Sequence, residues 1–388
     1  MVVHRQLPAR TGLRVSFSCA SWVTCAGLSV VFLACGSDPP KVAAPTPPPT
    51  STTPVAATTA APHEGASPSA STTPAATTAA APELPQPTLL IEGLKAPERL
   101  VADATNLYVT EEKTDSIYVA PKSGGEPKPF ATGQKGLAEI ALDATSVYWT
   151  TGDGKGGGTV MKQPLSPNKG AATKLATVPD SDLGGLIGLE VDDKFVYWTV
   201  STSQGKVMRV GKTGGAAVVL ADKQRSPYDV AGDATGIYWT LFGTGDAGGA
   251  VMSLPTAKPG AKVEPVVLAA GQKTPWCIAV DGKNAYWINK GPPGSIVTAP
   301  LAGGAPKTLV ADLRPTFLAI DPGEGGNVYW TSEDDDTLSV VPKAGGARQI
   351  LAKGLKSPTG IVVDASAIYF TNKSDGTVMK LPKVTGGS

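Results

Sequence analysis

Short apolar runs that end in aspartate recur along residues 87 to 383, and they follow the pattern of β-strands rather than helices. In each unit a second run contains a tyrosine, a third is typified by GTVMKLP, and a fourth follows a Gly-Gly turn. Val, Ile, Tyr, Trp and Thr dominate these runs, and Gly, Pro, Asn and Asp bound them. This alternation of strand formers and turn formers predicts four short strands per unit.

The unit occurs seven times. The aspartates that end the first run are Asp103, Asp143, Asp192, Asp233, Asp281, Asp321 and Asp364. The tyrosines of the second run are Tyr108, Tyr148, Tyr197, Tyr238, Tyr286, Tyr329 and Tyr369, and five of them precede Trp149, Trp198, Trp239, Trp287 and Trp330. Successive tyrosines lie 40 to 49 residues apart, a length that predicts one four-stranded propeller blade per unit.

The seventh unit lacks its fourth strand, and a match to that strand stands at the other end of the repeats. PTLLIEGLKAP at residues 87–97 is similar to QILAKGLKSP at residues 349–358, the fourth strand of the sixth unit. A first strand that completes the last blade closes the ring and hides its edge. The sequence therefore predicts an all-β fold, a seven-bladed β-propeller of four-stranded blades whose last blade is closed by the N-terminal strand at residues 87–93.

The Asp and Tyr columns recur in every unit, which indicates a role in the scaffold. We expect the aspartates to cap the turn after the first strand, and Tyr and Trp to pack between blades. The Tyr-Trp-Thr run with its upstream Asp resembles the YWTD repeats of low-density-lipoprotein-receptor propellers, and the run from Pro358 to Asp364 resembles NHL repeats. With seven blades rather than six, the chain is most similar to bacterial propellers tethered in cell envelopes.

The N-terminal residues predict export. Arg5, Arg10 and Arg14 precede an apolar stretch at residues 15–34, which favours a signal peptide over residues 1–34. A transmembrane anchor is the alternative, since twenty residues can span a bilayer, but serines dilute the stretch. The run FLAC ending at Cys35 resembles a bacterial lipobox, which implies a lipoprotein of the cell envelope, periplasmic or at the surface, held in the membrane by lipid alone.

Residues 35–86 are almost entirely Pro, Ala, Thr and Ser, a composition that predicts a disordered tether before a propeller at residues 87–388. Only 17% of residues are charged and the net charge is +1, so no basic face for nucleic acid is expected. Both histidines, His4 and His63, precede the repeats. The streptogramin-lyase family resembles the repeats in architecture, but its chemistry depends on histidine.

Candidate binding residues are found where the units differ, mainly four and five residues before each repeated aspartate. In a propeller these positions lie near the mouth of the central channel. The candidates are Glu98, Arg99, Glu139, Glu190, Tyr228, Asp229, Trp276 and Phe317. Carboxylates with aromatic rings around one opening suit a cation, a sugar or a polar peptide. Ordinary variation at a wet rim is the alternative.

Three turns contain further motifs. Residues 152–157 and 243–248 fit G-x-G-x-x-G, but neither opens a helix, so we interpret both as hairpin turns. Residues 333–336 place four acids in the matching turn of the sixth unit. A calcium site is one interpretation, and a solvated acidic loop is favoured because no glycine-punctuated ligand spacing is present.

Two functions follow from these features. The favoured hypothesis is a binding or scaffolding module for a protein, peptide or glycan, with no catalytic residues and no cofactor. The alternative is a calcium-dependent hydrolase similar to lactonases and gluconolactonases, with Glu98, Glu139, Glu190 and Asp229 as metal ligands. Fold alone does not decide between them.

Overall fold

The computed structural model describes residues 85–153, 157–165, 170–178, 185–243, 248–256 and 263–383. The predicted signal peptide, the lipidation candidate Cys35 and nearly all of the predicted tether lie outside the described residues. Within the described part of the chain, no helix is long and apolar enough to cross a membrane. The one helix there is a single 3-10 turn, Glu112–Thr114.

Twenty-eight strands follow in chain order through the described residues. Strand β1 is Thr88–Ile91. Blade 1 holds β2 to β5, at Pro97–Ala102, Asn106–Glu111, Ser116–Pro121 and Lys128–Ala131. Blade 2 holds β6 to β9, at Leu137–Leu142, Ser146–Gly152, Gly158–Pro164 and Thr173–Val178. Blade 3 holds β10 to β13, at Gly185–Val191, Phe195–Ser201, Gly205–Gly211 and Val218–Gln224.

The remaining blades repeat this order. Blade 4 holds β14 to β17, at Pro227–Gly232, Gly236–Leu241, Gly249–Pro255 and Val266–Gln272. Blade 5 holds β18 to β21, at Pro275–Val280, Asn284–Asn289, Gly294–Pro300 and Lys307–Leu313. Blade 6 holds β22 to β25, at Phe317–Ile320, Asn327–Ser332, Thr337–Pro342 and Gln349–Lys353. Blade 7 holds β26 to β28, at Pro358–Val363, Ala367–Asn372 and Thr377–Pro382, together with β1.

Seven antiparallel sheets of four strands confirm the predicted propeller. The first strand of each blade contacts the first strands of both neighbouring blades, and β2 contacts β26, so the ring is closed. Strand β1 pairs with β28, with Thr88 opposite Lys380, which confirms that the N-terminal strand completes the last blade. Closure leaves the blade edges only on the outside of the ring.

The repeated aspartates cap turns as predicted. In blade 1 the Asp103 carboxylate accepts hydrogen bonds from the backbone N–H groups of Thr105 and Asn106, at 2.7 and 2.6 Å. Its second oxygen accepts the Tyr108 hydroxyl at 3.0 Å. The same carboxylate-to-tyrosine bond occurs in blades 2, 3, 5 and 6. These contacts lie where the first strands end, and we call this the Asp–Tyr end of the ring.

Tryptophans of the repeat fill the space between blades. Trp149, Trp198, Trp239, Trp287 and Trp330 are fully buried. Trp239 of blade 4, for example, belongs to one cluster with Tyr197 and Val207 of blade 3. Three of the indole N–H groups also donate to a glutamine 15 residues upstream, as Trp239 does to Gln224 at 3.2 Å. The predicted packing of Tyr and Trp between blades is therefore confirmed.

Threonines of the second strand link neighbouring blades near the opposite end. The Thr240 hydroxyl accepts the N–H of Asp229 in its own blade at 3.0 Å and donates to the Trp276 carbonyl of the next blade at 2.8 Å. Thr199 makes the equivalent pair of bonds, to Gly188 N–H and the Tyr228 carbonyl. The register of the first strand shifts at these positions, so some of its backbone groups do not pair with the second strand. The threonine hydroxyls hydrogen-bond to these backbone groups instead.

Candidate functional site

The eight candidate residues lie on first strands, and seven of them are at the end where those strands begin, which we call the channel mouth. Glu98 and Arg99 are on β2, Glu139 on β6, Glu190 on β10, Tyr228 and Asp229 on β14, Trp276 on β18 and Phe317 on β22. All eight are at least nine-tenths buried, with exposed fractions from 0% to 7%. The candidate side chains are therefore enclosed within the ring.

Arg99 of blade 1 extends across the interior of the ring. Its guanidinium carbon lies 4.2 Å from the centroid of the Phe317 ring in blade 6, although blade 7 stands between these two blades. Its Nη2 atom lies 2.9 Å from Oε1 of Glu139 in blade 2. Blade 7 places Gly360 at the intervening position, where a β-carbon would lie 2.2 Å from the Glu98 carbonyl oxygen. A glycine there lets β26 pack closely against the backbone of β2.

Asp229 serves the scaffold. One carboxylate oxygen accepts the N–H of Val230 at 2.8 Å, and the other accepts the N–H of Ile278 in the next blade at 2.8 Å. The side chain is fully buried. Asp229 therefore joins blades 4 and 5 as a hydrogen-bond acceptor, which is a structural role that its variable position in the repeat did not indicate.

Three aromatic rings form a continuous surface on blades 4 and 5. Tyr228 and Trp276 have ring centroids 4.0 Å apart, and Phe242, which follows β15, lies 5.6 Å from Tyr228 and 5.8 Å from Trp276. Lys290, which follows β19, places its ammonium group 4.4 Å from the centroid of the Trp276 ring. We call Tyr228, Phe242 and Trp276 the aromatic surface. A lysine of the chain itself thus makes a cation–π contact with it.

Charged side chains line blades 6, 7 and 1 at the same end. Lys373, which follows β27, lies 3.4 Å from the Glu98 carboxylate and 2.9 Å from that of Glu112. Glu333 follows β23, and its N–H donates to the Thr316 hydroxyl at 2.9 Å. The channel mouth therefore has an aromatic part on blades 4 and 5 and an ionic part on blades 6, 7 and 1.

Burial shifts the titration of the charged groups near the aromatic surface. Burial lowers the pKa of Lys290, and the charges of Glu333 and Asp334 partly oppose this shift. Burial raises the pKa of Glu333, while Lys373 lowers it and Glu98 raises it. Burial also raises the pKa of Tyr228 well above its usual value, and the charge of Arg99 opposes the shift. These shared influences indicate that the aromatic and ionic parts face one another closely enough to interact.

The arrangement does not favour a calcium site. No group of three or more His, Cys, Asp or Glu side chains comes together to hold a metal ion among the residues that the structure describes. Both oxygens of Asp229 accept backbone hydrogen bonds, and Glu139 forms an ion pair with Arg99. In the acidic turn, Asp336 accepts the N–H of Ser357 at 2.9 Å and so serves the backbone.

The two G-x-G-x-x-G segments join antiparallel neighbours. Residues 152–157 connect β7 to β8, and residues 243–248 connect β15 to β16. The strands on either side of each segment are therefore antiparallel neighbours, as a hairpin requires, while residues 154–156 and 244–247 themselves lie outside the described residues. Phe242 immediately precedes the second turn, so this turn contributes to the channel mouth through its flanking side chain.

Sequence reasoning missed two groups of residues. Phe242, Lys290 and Lys373 complete the channel mouth, but each follows a second strand, outside the first-strand columns that we compared. At the Asp–Tyr end, Lys122, Lys212, Lys343 and Lys383 each contact the repeated aspartate of the preceding blade. A recurrent Lys just after the third strand is visible in the sequence and was the available signal.

Comparison with known proteins identifies a fold. The chain matches virginiamycin B lyase from Staphylococcus aureus with a TM-score of 0.61 and 15% identity, over 77% of this chain and 99% of that one. It matches a streptogramin B lyase structure with a TM-score of 0.59 and 16% identity, over 77% and 97% of the two chains. The WD40 propeller domain of Doa1 matches with a TM-score of 0.56 and 14% identity, over 78% and 98%.

At these identities the likeness establishes the propeller fold alone. A nidogen/laminin complex structure is also similar, at 24% identity over 58% of this chain and 86% of that one, with a TM-score of 0.44. No known protein-family profile matches the chain. No curated protein matches it either.

Proposed function

We propose that the chain is an exported, lipid-anchored β-propeller that binds an envelope or extracellular ligand at its channel mouth. The observation that carries this proposal is the concentration of non-repeated side chains at one end of a repetitive ring. A scaffold needs the same residues in every blade, whereas a single ligand needs different ones. The aromatic surface beside the ionic part offers both apolar contact area and polar groups, as ligand sites require.

The N-terminal sequence supports the proposed location. A signal peptide, a lipobox cysteine and a Pro/Ala/Thr/Ser tether of about fifty residues form a consistent series, and such a tether reaches on the order of 40 to 150 Å. The propeller at its end would stand clear of a membrane surface. Cys35 is the residue that this proposal assigns to lipid attachment.

Lyase chemistry is not proposed, although lyases share the fold. One similar structure is a catalytically inactive histidine-to-alanine variant of virginiamycin B lyase with quinupristin. In this chain both histidines precede residue 85, so the propeller sequence has no counterpart for such a residue. The proposal of binding rather than catalysis rests on this difference and on the composition of the mouth.

The test is capture of envelope components by the full chain. We expect Trp276→Ala to abolish capture by removing the largest ring of the aromatic surface, and Tyr118→Ala, on the third strand of blade 1, to leave capture unchanged. Circular dichroism of both variants checks that the propeller is folded. In the same cells, we expect Cys35→Ser to move the chain from the membrane fraction to the soluble fraction.

Equal capture by the wild-type chain and Trp276→Ala would show that the ligand binds elsewhere. Retention of Cys35→Ser in the membrane fraction, with fatty-acid label still incorporated, would contradict the lipid anchor. The two arms are independent, so one part of the proposal can fail while the other stands.

A further inference from the structure

The cation–π contact between Lys290 and Trp276 suggests which ligand chemistry suits the mouth. The Lys290 ammonium lies 4.4 Å from the centroid of the Trp276 ring. That ring also packs against Tyr228 and makes an edge-to-face contact with Phe242. A protein rarely desolvates a lysine without a compensating contact. Here the compensation comes from the negative face of an indole and from neighbouring acids.

Acidic groups lie near this contact. The charges of Glu333 and Asp334 favour the charged form of Lys290, and the charge of Arg99 opposes it. Glu98 lies 3.4 Å and Glu112 2.9 Å from Lys373 at the same end of the ring. A cation on the aromatic surface therefore has the carboxylates of Glu333 and Asp334 within electrostatic reach.

We infer that the aromatic surface of Tyr228, Phe242 and Trp276 binds a cationic side chain of a peptide ligand, with arginine the best fit, and that Lys290 occupies this position in the ligand's absence. The inference deepens the proposed function and rests on it. Lys290 acts as an internal competitor that a better cation displaces toward solvent.

Arginine suits this surface better than lysine does. A guanidinium group is planar, stacks on aromatic faces and is more weakly hydrated than an ammonium group, so it loses less on desolvation. Its fork of N–H donors can also reach a carboxylate while the plane remains on the ring. Burial lowers the pKa of Lys290, the direction expected where an ammonium group loses hydration.

A second observation supports a ligand at this position. The indole Nε1 atom of Trp276 is buried and has no hydrogen-bond acceptor among the described residues. Trp198 and Trp330, which pack between blades, also lack an acceptor in the described part of the chain, whereas Trp149, Trp239 and Trp287 donate to glutamines. A peptide that places its arginine on the Trp276 ring brings backbone carbonyls close to the same indole, and a carbonyl is the acceptor that Nε1 lacks.

The experiment titrates the full chain, purified in detergent and labelled with ¹⁵N at tryptophan, with three capped tripeptides of sequence Gly-X-Gly. X is arginine, its neutral isostere citrulline, or glutamate. We expect the arginine peptide to shift the Trp276 indole resonance in a saturable way and the other two peptides to leave it unchanged. Trp276→Phe, which keeps a ring but lacks the N–H, assigns the resonance and weakens binding.

The decisive variant is Lys290→Met. Removing the internal competitor should strengthen binding of the arginine peptide about tenfold, the size of a partly desolvated cation–π contact. Lys283→Met is the control, because it removes the same charge from the same blade. Lys283 follows the end of β18, at the Asp–Tyr end, where it forms an exposed ion pair with Glu324, so the affinity for the peptide should not change. Lys290→Arg should bind no more tightly than the wild-type chain.

Equal binding of the citrulline and arginine peptides would overturn the inference, and so would unchanged or weaker binding by Lys290→Met. If envelope capture still depends on Trp276 in either case, the proposed function stands and only the ligand class is wrong. If capture does not depend on Trp276 and no peptide shifts its indole, both proposals fail.

Discussion

The two ends of the ring use similar residues for different purposes. At the Asp–Tyr end, each blade repeats an aspartate that caps a turn, most of these aspartates accept a tyrosine hydroxyl, and four lysines connect neighbouring blades to these carboxylates. At the channel mouth, no two blades place the same pair of side chains on the first strand. Repetition in this molecule marks the scaffold, and departure from repetition marks the place where one ligand can be distinguished from another.

Disruption of the repeated columns should have the largest effect on stability. Trp239→Ala removes a fully buried indole that packs between blades 3 and 4, and we expect a loss of about 3–5 kcal/mol in the free energy of unfolding. Denaturant unfolding at neutral pH provides the measurement. Trp239→Phe, which retains most of the packing, should lose clearly less. Comparable losses for the two variants would indicate that volume between the blades is unimportant.

The buried ion pair of Lys343 and Asp281 should have the next largest effect. The two charges lie 2.9 Å apart with exposed fractions of 4% and 2%, and Lys343 also donates to the carbonyls of Asp321 and Gly323. Lys343→Leu copies Leu301, which follows the third strand of blade 5. We expect a loss of about 3 kcal/mol at pH 7, because a buried carboxylate loses its partner. Lys283→Leu, at an exposed pair, should be nearly neutral.

Acid provides the second half of this test. Burial acts to raise the pKa of Asp281, but hydrogen bonds from Lys343 and from the N–H groups of Asn284 and Lys283 outweigh it, so the pKa lies below the usual value. A lowered carboxylate pKa stabilises the fold above the unfolded value of about 3.9, and this contribution disappears as pH falls through the folded value. The difference in free energy of unfolding between the wild-type chain and Lys343→Leu should therefore narrow below about pH 4. A difference in free energy of unfolding that stays constant down to pH 2 would contradict the conclusion that Lys343 stabilises the ionised Asp281 carboxylate.

The threonine links should have the smallest effect of the three. Thr240→Val keeps the shape of the side chain but leaves the Asp229 N–H and the Trp276 carbonyl without their partner, and we expect a loss of about 2 kcal/mol. Blade 5 has Ile288 at the equivalent position, so a branched apolar side chain fits there. The loss should therefore report on hydrogen bonding. An unchanged free energy of unfolding would mean that other groups satisfy the exposed backbone.

Local patterns made the scaffold predictable. Blade number, ring closure by the N-terminal strand and the capping role of aspartates such as Asp103 depend on spacing within one unit, which a period reveals. The lysine after the third strand recurs in four of the seven units, but Lys343 meets Asp281 62 residues away, so its partner could not be read from its own unit. The recurrence of these lysines before a turn was visible, whereas their purpose required the packing of two blades.

The mouth was less predictable because closure of the ring brings distant blades together. Arg99 of blade 1 meets Phe317 of blade 6, and Gly360 of blade 7 lets β26 lie against the backbone of β2, since a β-carbon there would lie 2.2 Å from the Glu98 carbonyl oxygen. Asp229 resembled a ligand-binding acid in sequence, but the shifted register of the first strand presents backbone N–H groups that use both of its oxygens. No repeated sequence feature marks Lys290, and its contact with Trp276 depends on how the turn after β19 folds back over the neighbouring strand β18.

The closing strand also sets the order in which the molecule can be made. Thr88 donates a hydrogen bond to the carbonyl of Lys380, 292 residues later, whereas blades 1 to 6 are each built from one continuous stretch of chain. The first strand to be synthesised is therefore the last to find its partner, since β28 is the final strand of the ring. Any chain that stops before residue 377 has no β28 to pair with β1, so blade 7 reaches four strands only once the last strand has been made.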